Sequence, residues 1–196
     1  MLTLKPIILA SKSPRRKYLL NQIGIEFSVI PSSVIENLNY PLPPEAFTEH
    51  WAREKAKYVA ERHPDSIIIG ADTIVTINGD ILGKPKNKSQ SISMLKSLSG
   101  KTHEVITGVA FHSISFSIDE TFNERTFVSF KTLSNSDIYY YIDRYKPYDK
   151  AGSYGIQDWF AVNISKIEGC YFNVMGLPLS SFFSHYRRIV NSNNEK

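Results

Sequence analysis

The 196-residue sequence holds a single cysteine, Cys170, which excludes an internal disulfide framework and any cysteine-based zinc cluster. A reducing compartment, the cytoplasm, is the expected setting. Long apolar runs are also missing. Ile7-Ile8-Leu9-Ala10 stops at Ser11-Lys12-Ser13-Pro14-Arg15-Arg16, far short of the roughly 20 apolar residues of a membrane span, and it lacks the layout of a signal peptide. Neither charge dominates: 23 Lys and Arg stand interspersed against 19 Asp and Glu, for a formal net charge of +4. That balance suits an anionic ligand as readily as an ordinary surface. The histidines at 50, 63, 103, 112 and 185 show no metal-ligand spacing, which sets zinc aside.

Three familiar chemistries are absent too. Gly83-Lys84-Pro85 resembles the end of a phosphate-binding loop, but Gly79 to Gly83 is the wrong spacing and Pro85 replaces the Ser or Thr of a Walker sequence. Gly152 directly precedes Ser153, so Ala151-Gly152-Ser153-Tyr154-Gly155 is not a nucleophile elbow. The Tyr and Phe residues, eleven of each, do not form the pattern of an RNA-binding sheet and read mostly as core. No repeat, linker or low-complexity segment divides the chain, so one domain over residues 1–196 is expected.

What remains is an alternation of strands and helices that reads as α/β. Ile7 to Ala10 is a buried strand; Ser13 caps a helix with Pro14 in its first turn and Gly24 at its end. Ile25 to Ile30 resumes as a strand, and the prolines at 41, 43 and 44 lead into a helix to about His63. Its stripe of Phe47, Trp51, Ala52, Lys55, Ala56 and Val59 predicts a buried face. Ser66 to Gly70 and Thr73 to Ile77 are strand material, and Asn78-Gly79 predicts a two-residue hairpin. A helix over Ser89 to Leu98, β-rich segments from His103 to Ile118 and Arg125 to Leu133 joined through polar Asp119 to Asn123, and a helix capped by Ser134 follow. Beyond it, strands alternate with turns up to Pro178, and Leu179, Phe182, Phe183 and Tyr186 outline a last helix.

Several segments carry chemistry. Ser11 to Arg16 places hydroxyls, two guanidiniums and a helix start directly after an apolar strand, where unpaired N–H groups favour an anion and planar Arg can grip phosphate oxygens; a plain capped helix with solvated arginines fits as well. Asp72, after Ile67-Ile68-Ile69, stands where strand ends carry carboxylates, able to bind a hard cation or take a proton from water, unless it merely forms a turn. Glu36 is a second candidate metal ligand or an exposed loop acid. Lys55 on the buried stripe invites an anionic partner, although its stem can snorkel. Lys84 offers a cation for phosphate or an ordinary surface charge. Gln157 could read a base edge through its amide.

Taken in order, Ile8 to Arg16, Ala52-Arg53-Glu54-Lys55-Ala56, Gly70-Ala71-Asp72-Thr73-Ile74-Val75, Leu82-Gly83-Lys84-Pro85, Asp149 to Gln157 and Asn173 to Leu179 resemble the signatures of the Maf family of nucleoside triphosphate pyrophosphatases, over nearly the whole chain. The resemblance implies a mixed sheet in a two-lobed fold with a central cleft, related to the inosine triphosphate pyrophosphatases, and hydrolysis of a nucleoside triphosphate to the monophosphate and pyrophosphate with Mg²⁺ or Mn²⁺. It puts Asp72 on the family's proton acceptor and Arg15, Thr73 and Gln157 on its substrate-discriminating positions. Ser11, Arg16, Lys55 and Lys84 fall on the phosphate site, and Glu36 with Asp72 on the metal site. The form Asp-Lys-Ala-Gly-x-Tyr-Gly-Ile-Gln is similar to that of members cleaving dTTP and UTP, whereas the 7-methyl-GTP branch departs from it after the glycine. Many relatives carry Gly where this chain has Asp158, followed by Trp159-Phe160. The alternatives are a 7-methyl-GTP pyrophosphatase and a non-catalytic nucleotide-binding regulator of cell division. The same resemblance implies neither stable nucleic acid nor membrane as partner and is compatible with a homodimer.

Overall fold

Alternating side chains along one long strand organise the molecule. In β3 (Ile67–Ile77), Ile67, Ile69 and Ala71 face one side of the sheet and Ile68, Gly70, Asp72 and Ile74 the other. The computed structural model describes residues 5–192. Around β3 lie β1 (Ile7–Leu9), β2 (Ser28–Val29), β4 (Asp80–Leu82), β5 (Thr102–Ser113), β6 (Ile118–Phe130) and β7 (Ile164–Glu168). They form one mixed sheet in the order β2-β1-β3-β5-β6-β7, with β4 paired to β3 as a side branch.

The helices are α1 (Pro14–Gln22), α2 (Pro44–Ala60), α3 (Lys88–Leu98), α4 (Asn135–Tyr145), α5 (Tyr171–Met175) and α6 (Leu179–Ser192). Leu19 and Leu20 of α1, Met175 of α5 and Phe182 of α6 pack with Ile67 and Ile69 on one face. Ala52 and Ala56 of α2 cover Ile68 on the other. A separate core joins Val75 and Ile77 to Leu95 of α3 and Tyr141 of α4, and so builds the second lobe. Each fully buried Leu or Ile contributes about 2 kcal/mol. Among the described residues, no helix is long and apolar enough to cross a membrane.

β3 pairs differently along its two edges, and this makes the cleft. Towards β5 its ladder is antiparallel and unbroken from Ile68 to Thr76. On the opposite edge it pairs in parallel with β1 over Ile67–Ile69, then antiparallel with β4 only from Val75. Among the described residues, the stretch between has no strand beside it on that edge. Helix α2 lies close over the same stretch, because a Cβ at Gly70 would overlap the Ala52 carbonyl oxygen and one at Gly108 the backbone of Thr48. This approach brings Lys55 down onto the strand.

The Asn78-Gly79 hairpin forms as expected, with φ of 52° and 87°. Other expectations need correction. The two strand pieces at 66–77 are one strand, so Asp72 sits within β3 rather than at its end; it nonetheless lies just beyond where β1 stops. The strand expected over Ile25 to Ile30 shrinks to Ser28–Val29, since β1 offers only Ile8 and Leu9 to pair with it. The α2 helix ends at Ala60, before His63. Asp119 to Asn123 is strand, not connector: the turn falls at 114–117, with Ser117 at φ 53°. Its acids are held in place by partners on the packed helices, Asp119 by Arg53 and Glu120 by His185 and Arg188. Among the described residues after Pro147, only β7 is a strand; α5 and 3-10 turns at Ala151–Ser153 and Trp159–Asn163 replace the other strands expected there.

Candidate active site

The gap beside β3 opens into a cavity of about 480 Å³. Ser11, Arg15 and Arg16 enter it from the β1–α1 connection, Asp72 and Thr73 from β3, and Lys55 from α2. Glu36 comes from the loop before α2, Lys84 from beyond the β3–β4 hairpin and Gln157 from a turn. All nine residues singled out in the sequence therefore line one hollow.

Lys55 joins the two acids. Its Nζ lies 2.6 Å from Glu36 Oε1 and 2.7 Å from Asp72 Oδ1, and it donates to the Ala71 carbonyl at 3.3 Å. The side chains of Lys55 and Asp72 are only 10% and 4% exposed, so this is a dry ion pair and not a snorkelling stem. Burial pushes the Glu36 carboxyl up; Lys55, with Lys84 and Arg16 behind it, outweighs burial and holds it below the ordinary carboxylate value. Asp72 Oδ2 is buried with no hydrogen-bond partner. An orphaned carboxylate oxygen beside a cavity is an acceptor waiting for a donor or a cation.

Arg16 departs from expectation. Its Nε donates to Gly176 O at 2.8 Å, its Nη1 to Ser11 Oγ at 3.2 Å and Ala71 O at 3.0 Å, and its Nη2 to Thr73 Oγ1 at 2.9 Å. A guanidinium has five N–H groups, and four are committed to the protein. Arg16 therefore staples the strandless edge of β3 to α1 and to the end of α5, and meets a ligand with its charge and one N–H rather than with a two-pronged grip. Burial draws its pKa below the ordinary arginine value, against the pull of Asp72 and Glu36. Ser11 Oγ accepts from Ser13 N–H and from Arg16, both at 3.2 Å, which leaves its own hydrogen to donate.

Arg15 reaches across the cavity mouth to Asp149, Nη1 to Oδ2 at 2.7 Å, and Asp149 Oδ1 holds Lys150 Nζ at 2.8 Å. Burial raises the Asp149 carboxyl, but Lys150 and Arg15 outweigh it and hold it low. Lys150 and Lys12 line the cavity without having been singled out in the sequence; with them, six cationic side chains face three carboxylates there. The place of Asp149-Lys150 at the start of the segment ending in Gln157 is the available signal.

Gln157 is exposed on a turn at the rim, not buried in a strand. The departure at Asp158 has a structural account. Its backbone, φ −107°, does not require glycine. Oδ1 accepts from Phe160 N–H and Oδ2 from the Tyr141 hydroxyl, which in turn accepts from Gly155 N–H, each at 3.0 Å. The turn carrying Gln157 is thus braced from behind. Gly152, φ 64°, packs so tightly on Val75 that a Cβ would come within 2.9 Å of its side chain.

Among the described residues, no group of three or more His, Cys, Asp or Glu could hold a metal ion. Two acids remain, Glu36 and Asp72. A small hard cation is commonly held by one or two carboxylates, with phosphate and water completing its sphere, and the unpartnered Asp72 Oδ2 fits that arrangement.

The sequence pattern of the family described as Maf-like protein matches residues 6–189. A Carboxydothermus hydrogenoformans protein named dTTP/UTP pyrophosphatase is 45% identical over 181 residues, 92% of this chain and 97% of that one. A Thermosipho africanus protein of the same name is 49% identical over 176 residues, 89% and 88% of the two chains. One from Phocaeicola vulgatus, also so named, is 46% identical over 187 residues, 93% and 95% of the two.

Proposed function

The chain belongs to the Maf-like protein family, and from that premise we propose that it is a hydrolase cleaving dTTP and UTP to the nucleoside monophosphate and pyrophosphate. One observation carries the reading: Asp72, paired to Lys55 through Oδ1 and unpartnered at its buried Oδ2, lines a cationic cavity together with every residue that matches the family's site.

In this reading a water attacks the α-phosphorus; the new P–O bond forms as the α–β bridge breaks, and pyrophosphate leaves with the bridging oxygen. Asp72 takes the water's proton at Oδ2, the oxygen Lys55 leaves unengaged. Lys55, Lys84 and Arg16 offset the charge that builds on the departing pyrophosphate, and Ser11 donates to a phosphate oxygen. Glu36 and Asp72 would hold Mg²⁺ or Mn²⁺, directly or through water, and the ion would supply neutralisation of phosphate charge and polarisation of the phosphoryl oxygens. Arg15 and Gln157 sit at the mouth, where a base would rest. The lone cysteine fits a cytoplasmic setting.

Pyrophosphate release from dTTP, UTP and 7-methyl-GTP at equal concentration, with Mg²⁺ or Mn²⁺, tests the proposal. Preference for the methylated purine would overturn the pyrimidine assignment, and recovery of intact triphosphate would identify a binder. Asp72→Asn keeps the fold and loses most turnover; near-normal release by that variant would reject the base.

A further inference from the structure

The ammonium of Lys55, as it stands, has no hydrogen left for a phosphate. It carries three, and three acceptors surround it: Glu36 Oε1 at 2.6 Å, Asp72 Oδ1 at 2.7 Å and the Ala71 carbonyl at 3.3 Å. The Lys55 and Asp72 side chains are almost wholly buried, so water does not loosen these contacts. Lys55 also sits where the two acids come together. A Mg²⁺ joining both carboxylates at about 2.1 Å needs the same oxygens or their immediate neighbours. Beside an ammonium in so dry a place it would meet strong repulsion. Ammonium and divalent cation are therefore rivals for one seat, and the cavity that Lys55 lines offers the loser somewhere to go.

We propose that Lys55 is an exchangeable counter-ion: it holds Glu36 and Asp72 together until a divalent cation takes over their oxygens, and only then turns its ammonium into the cavity towards phosphate. This deepens the pyrophosphatase reading and rests on its assignment of a divalent cation to the two acids. Asp72 Oδ2, buried and unpartnered, gives the incoming cation a first foothold that the ammonium does not cover. Glu36 stands on a loop, free to turn from one cation to the other, while Asp72 stays fixed in β3. Arg16 cannot act as the exchanging group, because four of its N–H groups are committed to the protein. Charge favours the swap as well. One ammonium in contact with two carboxylates leaves a negative charge over, whereas a divalent ion balances both and releases a cation, on a flexible four-carbon stem, for the substrate.

The test is Mn²⁺ binding to the nucleotide-free protein, followed by electron paramagnetic resonance of the unbound ion, in the wild type, Lys55→Met, Lys84→Met and the double variant Lys55→Met/Glu36→Gln. Lys55→Met binds Mn²⁺ about tenfold more tightly than the wild type, the weight of one charged hydrogen bond that no longer has to be broken. Lys84, exposed, faces Glu36 through charge alone, so Lys84→Met shifts the constant by less than about threefold. An equal gain in the two single variants would reflect general loss of positive charge and overturn the exchange. The gain disappears in the double variant; a gain that survives Glu36→Gln overturns the proposal too. So does a folded Lys55→Met that binds Mn²⁺ no better than the wild type. Should Lys55→Met not fold, the wild type decides. Its Lys55 ammonium hydrogens, sheltered by three acceptors, are visible by proton–nitrogen NMR and are lost to exchange with water once saturating Mg²⁺ is added. Hydrogens that stay protected overturn the proposal. None of these readouts uses turnover: a protein that releases no pyrophosphate from dTTP or UTP sinks the hydrolase reading, while the titration still decides the exchange.

Discussion

Replacing Arg16 by lysine separates a staple from a phosphate grip. Arg16→Lys keeps the positive charge but exchanges a planar five-donor fork for a single ammonium. The four acceptors now served, Gly176 O, Ser11 Oγ, Ala71 O and Thr73 Oγ1, are spread around the guanidinium from Nε to Nη2. One ammonium can reach about two of them. Two hydrogen bonds from a charged donor are then lost, at roughly 1.5 kcal/mol each by the lower figure for such bonds, so stability falls by about 3 kcal/mol. With a urea dependence of about 2–3 kcal/mol per molar for a chain of this size, the unfolding midpoint drops by about 1 M. The assay is urea unfolding followed by tryptophan fluorescence, beside steady-state kinetics on dTTP. An unchanged midpoint with a steep rise in KM would refute the reasoning, since that is how a guanidinium reserved for phosphate behaves.

Further outcomes follow from the same geometry. Lys55→Met leaves Glu36 and Asp72 facing each other without their shared cation; breaking such a pair costs about 3–5 kcal/mol, and urea melts should show the penalty largest near neutral pH and shrinking as Glu36 gains a proton. Glu36 titrates below its ordinary value of 4.5, so the stability its ionisation contributes is present above that value and lost as pH falls through the depressed one. Melts of Glu36→Gln should accordingly differ from wild type by a constant amount above about pH 5 and converge with it in stronger acid; a constant difference throughout would contradict the pairing. Burial pushes His103 from 6.5 down to about 4, with its Nε2 2.8 Å from the Tyr154 hydroxyl. The folded protein thus binds fewer protons than the unfolded chain between those values, and stability declines as pH drops from 6.5 towards 4; His103→Asn should flatten that slope.

Much of this was legible because the signals were local. Ser13 caps α1 through its hydroxyl, Asn78-Gly79 turns the hairpin, and the α2 stripe from Phe47 to Val59 is buried. The site residues could be named from their segments, but their wiring could not. Nothing in the order of residues says that Ala71 lends its carbonyl to both Arg16 and Lys55, because that depends on β1 ending opposite Ile69, three positions before Asp72. The polar strand at Asp119 to Asn123 was misread for a related reason: its charges are neutralised by Arg53 and Arg188, more than 60 positions away in sequence. Asp149 and Lys150 passed unassigned because an adjacent acid and base look like a solvated pair until Arg15 is seen opposite.

The interrupted pairing along β3 also divides the labour of motion. Asp72 and Thr73 inherit the stiffness of the β5 ladder behind them, register-locked to Gly108 and Thr107, so the carboxylate proposed as the base is held in place. With the Gln157 turn braced through Asp158 and Tyr141, what gives way when a nucleotide arrives is the Glu36 loop. Amide protons of residues 70–74 should therefore exchange slowly with or without nucleotide, while those of the Glu36 loop slow down only on its arrival.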